Sequence, residues 1–141
     1  HNKKEIAKEI EGKALLHCQI IRDADKLDIY EILCTQKIKD AVWFPADNLE
    51  KEKITDSVYQ DFMQHIKMDY KNIKTNIDCL VSWMGYIYDI YFPSSFARIK
   101  EKQYINRIID RIDYQNEETK QRIEEMRKVA NAYIEEKIKE K

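Results

Sequence analysis

The sequence predicts an all-α fold, a multi-helix bundle with long helices towards its C-terminal end. Three observations carry that reading. The chain has only two glycines and two prolines in 141 residues, too few for the tight turns of a sheet protein. Charged residues make up 36% and hydrophobic ones 43%, the balance of amphipathic helices with one wet and one buried face. Apolar residues also recur at i, i+3 and i+4 spacing rather than alternating. The length fits a single helical domain over residues 1–141, enough to bury a hydrophobic core.

Each element has its own signal. Asn2 can cap a short helix to Glu9 or Ile10, with Ile6 and Ile10 one turn apart, and Gly12 breaks it. A long helix follows over about residues 13–35, with Leu16, Ile20, Leu27, Tyr30 and Cys34 as its apolar side. Residues 39–55, with Pro45, Asp47 and Asn48, read as a loop holding a short turn of helix. Thr55 or Asp56 caps the next helix, to about Lys67, whose inner face is Val58, Phe62, Met63 and Ile66. Residues 72–91 are apolar over a wide arc, with Ile73, Ile77, Leu80, Val81, Met84, Ile87, Tyr88 and Tyr91, and so form the expected central helix.

Pro93 stops that helix, and Ser94 or Ser95 caps another to about Ile112, with Phe96, Ile99, Ile105, Ile108, Ile109 and Ile112 inward. The last helix starts near Asn116. Its Ile123, Met126, Ala130 and Tyr133 have heptad-like spacing, which fits either a packing helix or a homodimer seam through the C-terminal helices. Glu118–Arg122, Glu124–Lys128 and Glu135–Lys139 are favourable pairs one turn apart.

Composition also excludes functions. A net charge of −1 leaves no electrostatic footprint for polymeric nucleic acid or an anionic membrane. The most apolar run, Ile77–Phe92, is shorter than a bilayer span and interrupted by Asp78 and Asp89. The N-terminal residues do not have the pattern expected of a signal peptide, so none is expected. Cys18, Cys34 and Cys79 form no CxxC pair, so reduced core thiols and a cytoplasmic location are expected. Glycine-rich phosphate loops, nucleophile elbows and HExxH are absent. The cluster Trp83, Tyr86, Tyr88 and Tyr91, without a basic surplus, reads as core aromatics rather than a base-stacking platform.

The chemistry lies in Ile20–Tyr30, where Asp23, Asp25, Asp28, Arg22 and Lys26 stand among residues patterned for burial. Burying charge costs several kcal/mol unless the charge is paired or binds a metal. At about 100° per residue, Asp23 and Asp25 point to opposite sides of their helix and cannot share an ion. Asp25 and Asp28 can share a face, and Arg22 lies one turn before Asp25 and Lys26, in reach of a local ion pair. Lys26, about 100° round from Asp25, can flank a phosphate held by a metal on Asp25. On spacing alone the run fits an ion-pair network or a functional site. His17 shares a face with Asp28 but lies about 16 Å away along the axis, too far for one ion.

The string Arg22-Asp23-Ala24-Asp25-Lys26-Leu27-Asp28-Ile29-Tyr30-Glu31-Ile32-Leu33 resembles the final metal-binding motif of the HD-domain superfamily, helical metal-dependent phosphohydrolases. His1-Asn2-Lys3 is similar to the end of an earlier helix of that family, which supplies a site histidine. Ser82–Phe92 followed by Tyr104-Ile105 resembles its C-terminal helices. The resemblance implies an HD-type bundle, with Asp25 and His1 as metal ligands and Lys26 as the catalytic cation beside substrate phosphate. It implies a divalent ion (Mn, Fe, Mg, Zn or Ni) and a small phosphorylated substrate or nucleotide, hydrolysed by a metal-activated water.

The chain departs from the family in having no His-Asp dipeptide, and His17 and His65 match none of its motifs. With helical patterning starting almost at His1, the expectation is the C-terminal portion of an HD hydrolase with an incomplete site, inactive by itself. The alternative is a non-catalytic binding or dimerisation module on the same scaffold.

Overall fold

Six α-helices and three short 3₁₀ turns make up residues 11–36 and 49–140, which the computed structural model describes, and no strand occurs among them. The expected helix over residues 2–10 and most of the expected loop from residue 39 lie outside the described residues.

Helix α1 spans Gly12–Thr35. Gly12 has a φ of +65°, a left-handed conformation open to glycine at no steric cost. The buried residues of α1 lie from its midpoint onwards: Asp23, Lys26, Tyr30 and Leu33. Leu16 and Ile20, read as core, are instead about half exposed, at 48% and 49%. Their apolar spacing is real, but among the described residues the first half of the helix meets little to pack on.

A 3₁₀ turn at Leu49–Lys51 precedes α2, Asp56–Met63. Periodicity carries this helix to Lys67, yet it ends earlier. His65 takes a left-handed φ of 62°, and the Ile66 N–H reaches back to the Asp61 carbonyl at 2.9 Å. That six-to-one bond satisfies an end carbonyl and stops the helix. Ile66, read as core, is therefore carried outward and exposed.

The expected central helix is divided. Asp69 caps a 3₁₀ turn at Tyr70–Asn72, α3 runs over Asn76–Met84, and a second 3₁₀ segment covers Gly85–Asp89. Asp78 sets the start of α3. It forms a capping box with Thr75 and also accepts the Lys74 N–H at 3.0 Å and the Thr55 N–H at 2.8 Å. One buried carboxylate thus begins α3 and anchors the residue before α2.

α4 covers Pro93–Lys102 and α5 covers Tyr104–Asp110. The sequence reads these as one helix capped by Ser94 or Ser95. Phe92 occupies the cap position instead, with Pro93 in the first turn, where its missing N–H has no helical partner to lose. Gln103, with φ 55°, separates the two helices. Its side chain holds both flanks, donating to the Lys100 carbonyl and accepting from Asn106, each at 2.7 Å. α6, Glu117–Lys139, begins as expected at Asn116, whose side chain accepts the Thr119 N–H at 3.1 Å.

α4 packs along α6, and α1 lies chiefly on α5. Tyr30, Phe62, Ile77, Met84, Ile87, Ile99, Ile105, Ile108, Ile109, Ile123 and Met126 fill the core. Full burial of an apolar side chain of this size stabilises by about 1.5–3 kcal/mol. Ile123, Met126 and Ala130, the heptad-like residues of α6, are buried in the chain's own core. Tyr133 packs edge-on to Tyr88 and Phe96, at 4.9 and 5.8 Å between ring centres. The three cysteines are free and partly buried. Among the described residues no helix is long and apolar enough to cross a membrane.

Candidate functional site

The acidic run occupies the middle of α1, and the helical step parts its members as the 100° spacing requires. Asp23 is buried, while Asp25 and Asp28 are exposed. The inward acid is Asp23. Its carboxylate accepts the N–H groups of Tyr91 and Phe92 at 2.9 and 3.1 Å and the Ser95 hydroxyl at 2.6 Å. It therefore caps α4 from a different helix, a favourable place for negative charge near unsatisfied N–H donors. These bonds explain one of the buried charges in structural terms.

Lys26 also turns inward. Its ammonium lies 3.1 Å from Asp89 Oδ2 and 5.9 Å from the centre of the Tyr86 ring. The same carboxylate oxygen receives Arg22 Nη2 at 2.8 Å and Lys67 Nζ at 2.9 Å. Arg22 and Lys26, one turn apart on α1, thus meet Lys67 from the segment after α2 and Asp89 from the end of the second 3₁₀ segment. Arg22 pairs with this remote acid rather than locally with Asp25.

Burial is the largest influence on Lys26, Asp89 and Arg22. It lowers the Lys26 pKa below the usual lysine value, with Arg22 and Lys67 adding to the effect against the pull of Asp89. Burial alone would raise Asp89, but the hydrogen bond from Lys67 and the charge of Lys26 outweigh it and hold the carboxyl below its ordinary value. Burial likewise opposes the charge on Arg22, which Asp89 keeps firmly protonated. Asp89 thus bridges three basic side chains in a partly buried cluster.

Asp25 stands on the exposed side of the same helix turn, and His1 lies outside the described residues. Among the described residues no group of three or more His, Cys, Asp or Glu side chains is placed to hold a metal ion. His17 is exposed on α1, and His65 stacks on Tyr88 at 5.2 Å and meets Tyr133 edge-on at 4.8 Å. These two histidines have packing or surface positions, in keeping with their lack of a motif.

Asp89 and Lys67 are the members of the cluster that sequence reasoning did not single out. Their signal was present: Asp89 interrupts an otherwise apolar run, and an acid held in such a run needs a cation or several N–H donors. Spacing could not say which, because Arg22 is 67 residues away in the chain. No family model, curated protein or solved structure matches this chain.

Proposed function

We propose that this chain belongs to a metal-dependent phosphohydrolase of the HD superfamily, to which it contributes one metal-binding carboxylate and cations for substrate phosphate. One observation carries the reading: adjacent residues of α1 part, Asp25 turning to the exposed side and Lys26 to the Arg22–Lys67–Asp89 cluster. On this reading an ion ligand and phosphate-side cations share one turn of helix. Asp25 takes the role of metal ligand. Lys26 offsets negative charge on a small phosphate ester or nucleotide.

The described residues do not complete a metal centre. A catalytic ion commonly takes three or more protein ligands, and Asp25 offers one carboxylate. The reading therefore requires further ligands, with His1 among the candidates, and leaves the ion open among Mn, Fe, Mg, Zn and Ni. The test is metal content and phosphatase turnover of the full natural chain with Asp25→Ala. Loss of both, with helical circular dichroism unchanged, supports the proposal. Unchanged metal content and turnover would sink it.

A second reading, a non-catalytic helical binding module, is favoured by the apolar side chains exposed on α1. Leu16, Ile20 and Ile21 are 48%, 49% and 41% exposed, an apolar grouping of the kind that marks an interaction surface. On that reading Asp25→Ala is silent, while Ile20→Ser and Ile21→Ser change the association state or partner binding.

A further inference from the structure

The first half of α1 presents a face that the chain's own core does not use. None of residues 12–22 is buried, and Leu16, Ile20 and Ile21 are 48%, 49% and 41% exposed. At about 100° per residue, Lys13, His17, Ile20, Ile21, Ala24 and Asp28 fall within an arc of about 100°. All of these are exposed, and the arc lies on the far side of α1 from its buried Asp23, Lys26, Tyr30 and Leu33. Leu16 borders it.

The order of residues along this face identifies its occupant. A base, Lys13, stands at one end, an acid, Asp28, at the other, and two isoleucines lie midway. Turned end for end, the pattern complements itself. An antiparallel copy centred between Ile20 and Ile21 sets Lys13 opposite the second copy's Asp28, His17 opposite Ala24 and Ile20 opposite Ile21, because the members of each pair are equally far from that centre. Ala24 is small enough to admit the His17 ring. A parallel copy would instead bring Lys13 to Lys13 and Asp28 to Asp28, and like charges in register oppose association. The heptad-like residues of α6 offer no rival seam, since Ile123, Met126 and Ala130 are buried within the chain.

We propose that the protein pairs through this face with a second copy of itself, the two α1 helices running antiparallel about a twofold axis at Ile20 and Ile21. The same patch serves both copies, as a twofold interface requires. The isoleucines form its apolar centre, and a Lys13–Asp28 ion pair closes each end. These end residues stand about 22 Å apart along the helix, so the contact is small and the association weak, with a Kd on the order of 100 µM. The inference rests on the binding-module reading of this face and commits it to one partner. It does not use Asp25 or a metal.

The experiment is sedimentation equilibrium over about 10 µM to 1 mM protein, a range that brackets the expected Kd. The wild-type mass is expected to rise from one copy towards two. Lys13→Glu and Asp28→Lys each set like charges at both ends of the pair and weaken it about tenfold. An equal mixture of the two variants recovers association, because each end of the mixed pair again joins opposite charges. Ile20→Ser combined with Ile21→Ser abolishes pairing and leaves helical circular dichroism unchanged. A wild-type chain that stays monomeric throughout, a dimer indifferent to these substitutions, or a mixture no more associated than its components overturns the inference. A monomeric wild type from which the isoleucine variant releases a different protein also overturns it, while the binding-module reading then stands with that protein as the occupant.

Discussion

The Asp23 carboxylate accepts the Ser95 hydroxyl at 2.6 Å, from a residue 72 positions away in the chain. With the Tyr91 and Phe92 N–H groups on the same carboxylate, this bond fixes where α4 begins against α1. Removing a buried acceptor leaves its donors unsatisfied, at about 1–3 kcal/mol for each group. Asp23→Ala is therefore expected to destabilise by roughly 3 kcal/mol in urea unfolding, and Ser95→Ala by about 1 kcal/mol. A change under about 0.5 kcal/mol for Asp23→Ala would show the cap to be dispensable.

Asp25 is two residues further on and exposed. In metal-free protein, Asp25→Ala is expected to move the urea midpoint by the equivalent of about 0.5 kcal/mol or less. Equal destabilisation by Asp23→Ala and Asp25→Ala would contradict the placement of one acid inside and the other outside.

The contrast between these acids shows what the sequence could and could not say. The 100° step of a helix is enough by itself to separate Asp23 from Asp25. It does not decide which one faces inward, because the donors that hold Asp23 come from Tyr91, Phe92 and Ser95. Core identities in Phe96–Ile112 were legible because apolar spacing persists through that stretch, and each expected residue from Phe96 to Ile112 is buried. The break at Gln103 was not, since a left-handed residue leaves the apolar spacing on either side intact. The candidate site was legible on α1 alone. Lys67 and Asp89 join it through tertiary packing that no local pattern encodes.

Asp89 gives the fold an acid-sensitive element. Burial favours its neutral form, but Lys67 and Lys26 overcome that and hold its folded pKa below the ordinary value. A carboxyl depressed in this way contributes stability that is present above the unfolded pKa of about 4 and lost as pH falls through the folded value. The stability difference between wild type and Asp89→Asn, followed by urea unfolding from about pH 7 down to about 2.5, should stay level to about pH 4 and narrow below it. A constant difference across the whole range would remove the cluster from the acid response.

Tyr30 is fully buried, stacks on Tyr104 at 5.9 Å between ring centres, and donates its hydroxyl to the Met84 carbonyl at 3.0 Å. Burial drives its pKa well above the usual tyrosine value, so the hydroxyl stays protonated and keeps donating. Tyr30→Phe preserves the packing but leaves the last carbonyl of α3 without this donor, at an expected cost of about 1–2 kcal/mol. Tyr30→Ala adds a cavity and should cost about 3–5 kcal/mol. Equal losses for the two variants would mean that the hydroxyl, rather than the ring, carries the contribution of Tyr30.

Gln103 joins α4 to α5 with a φ of 55°. Side chains branched at Cβ are the least able to adopt this left-handed geometry. Gln103→Ile is therefore expected to destabilise by about 1–2 kcal/mol, through backbone strain and loss of the 2.7 Å bonds to Lys100 and Asn106. Gln103→Gly loses the same bonds but relieves the backbone, so it should remain within about 0.5 kcal/mol of wild type. The difference between the two variants isolates backbone strain, because both lack the side-chain amide. If Gln103→Ile is as stable as Gln103→Gly, the helices must be able to run through residue 103 as one, and Phe96–Ile112 would behave as the continuous helix that its apolar spacing describes.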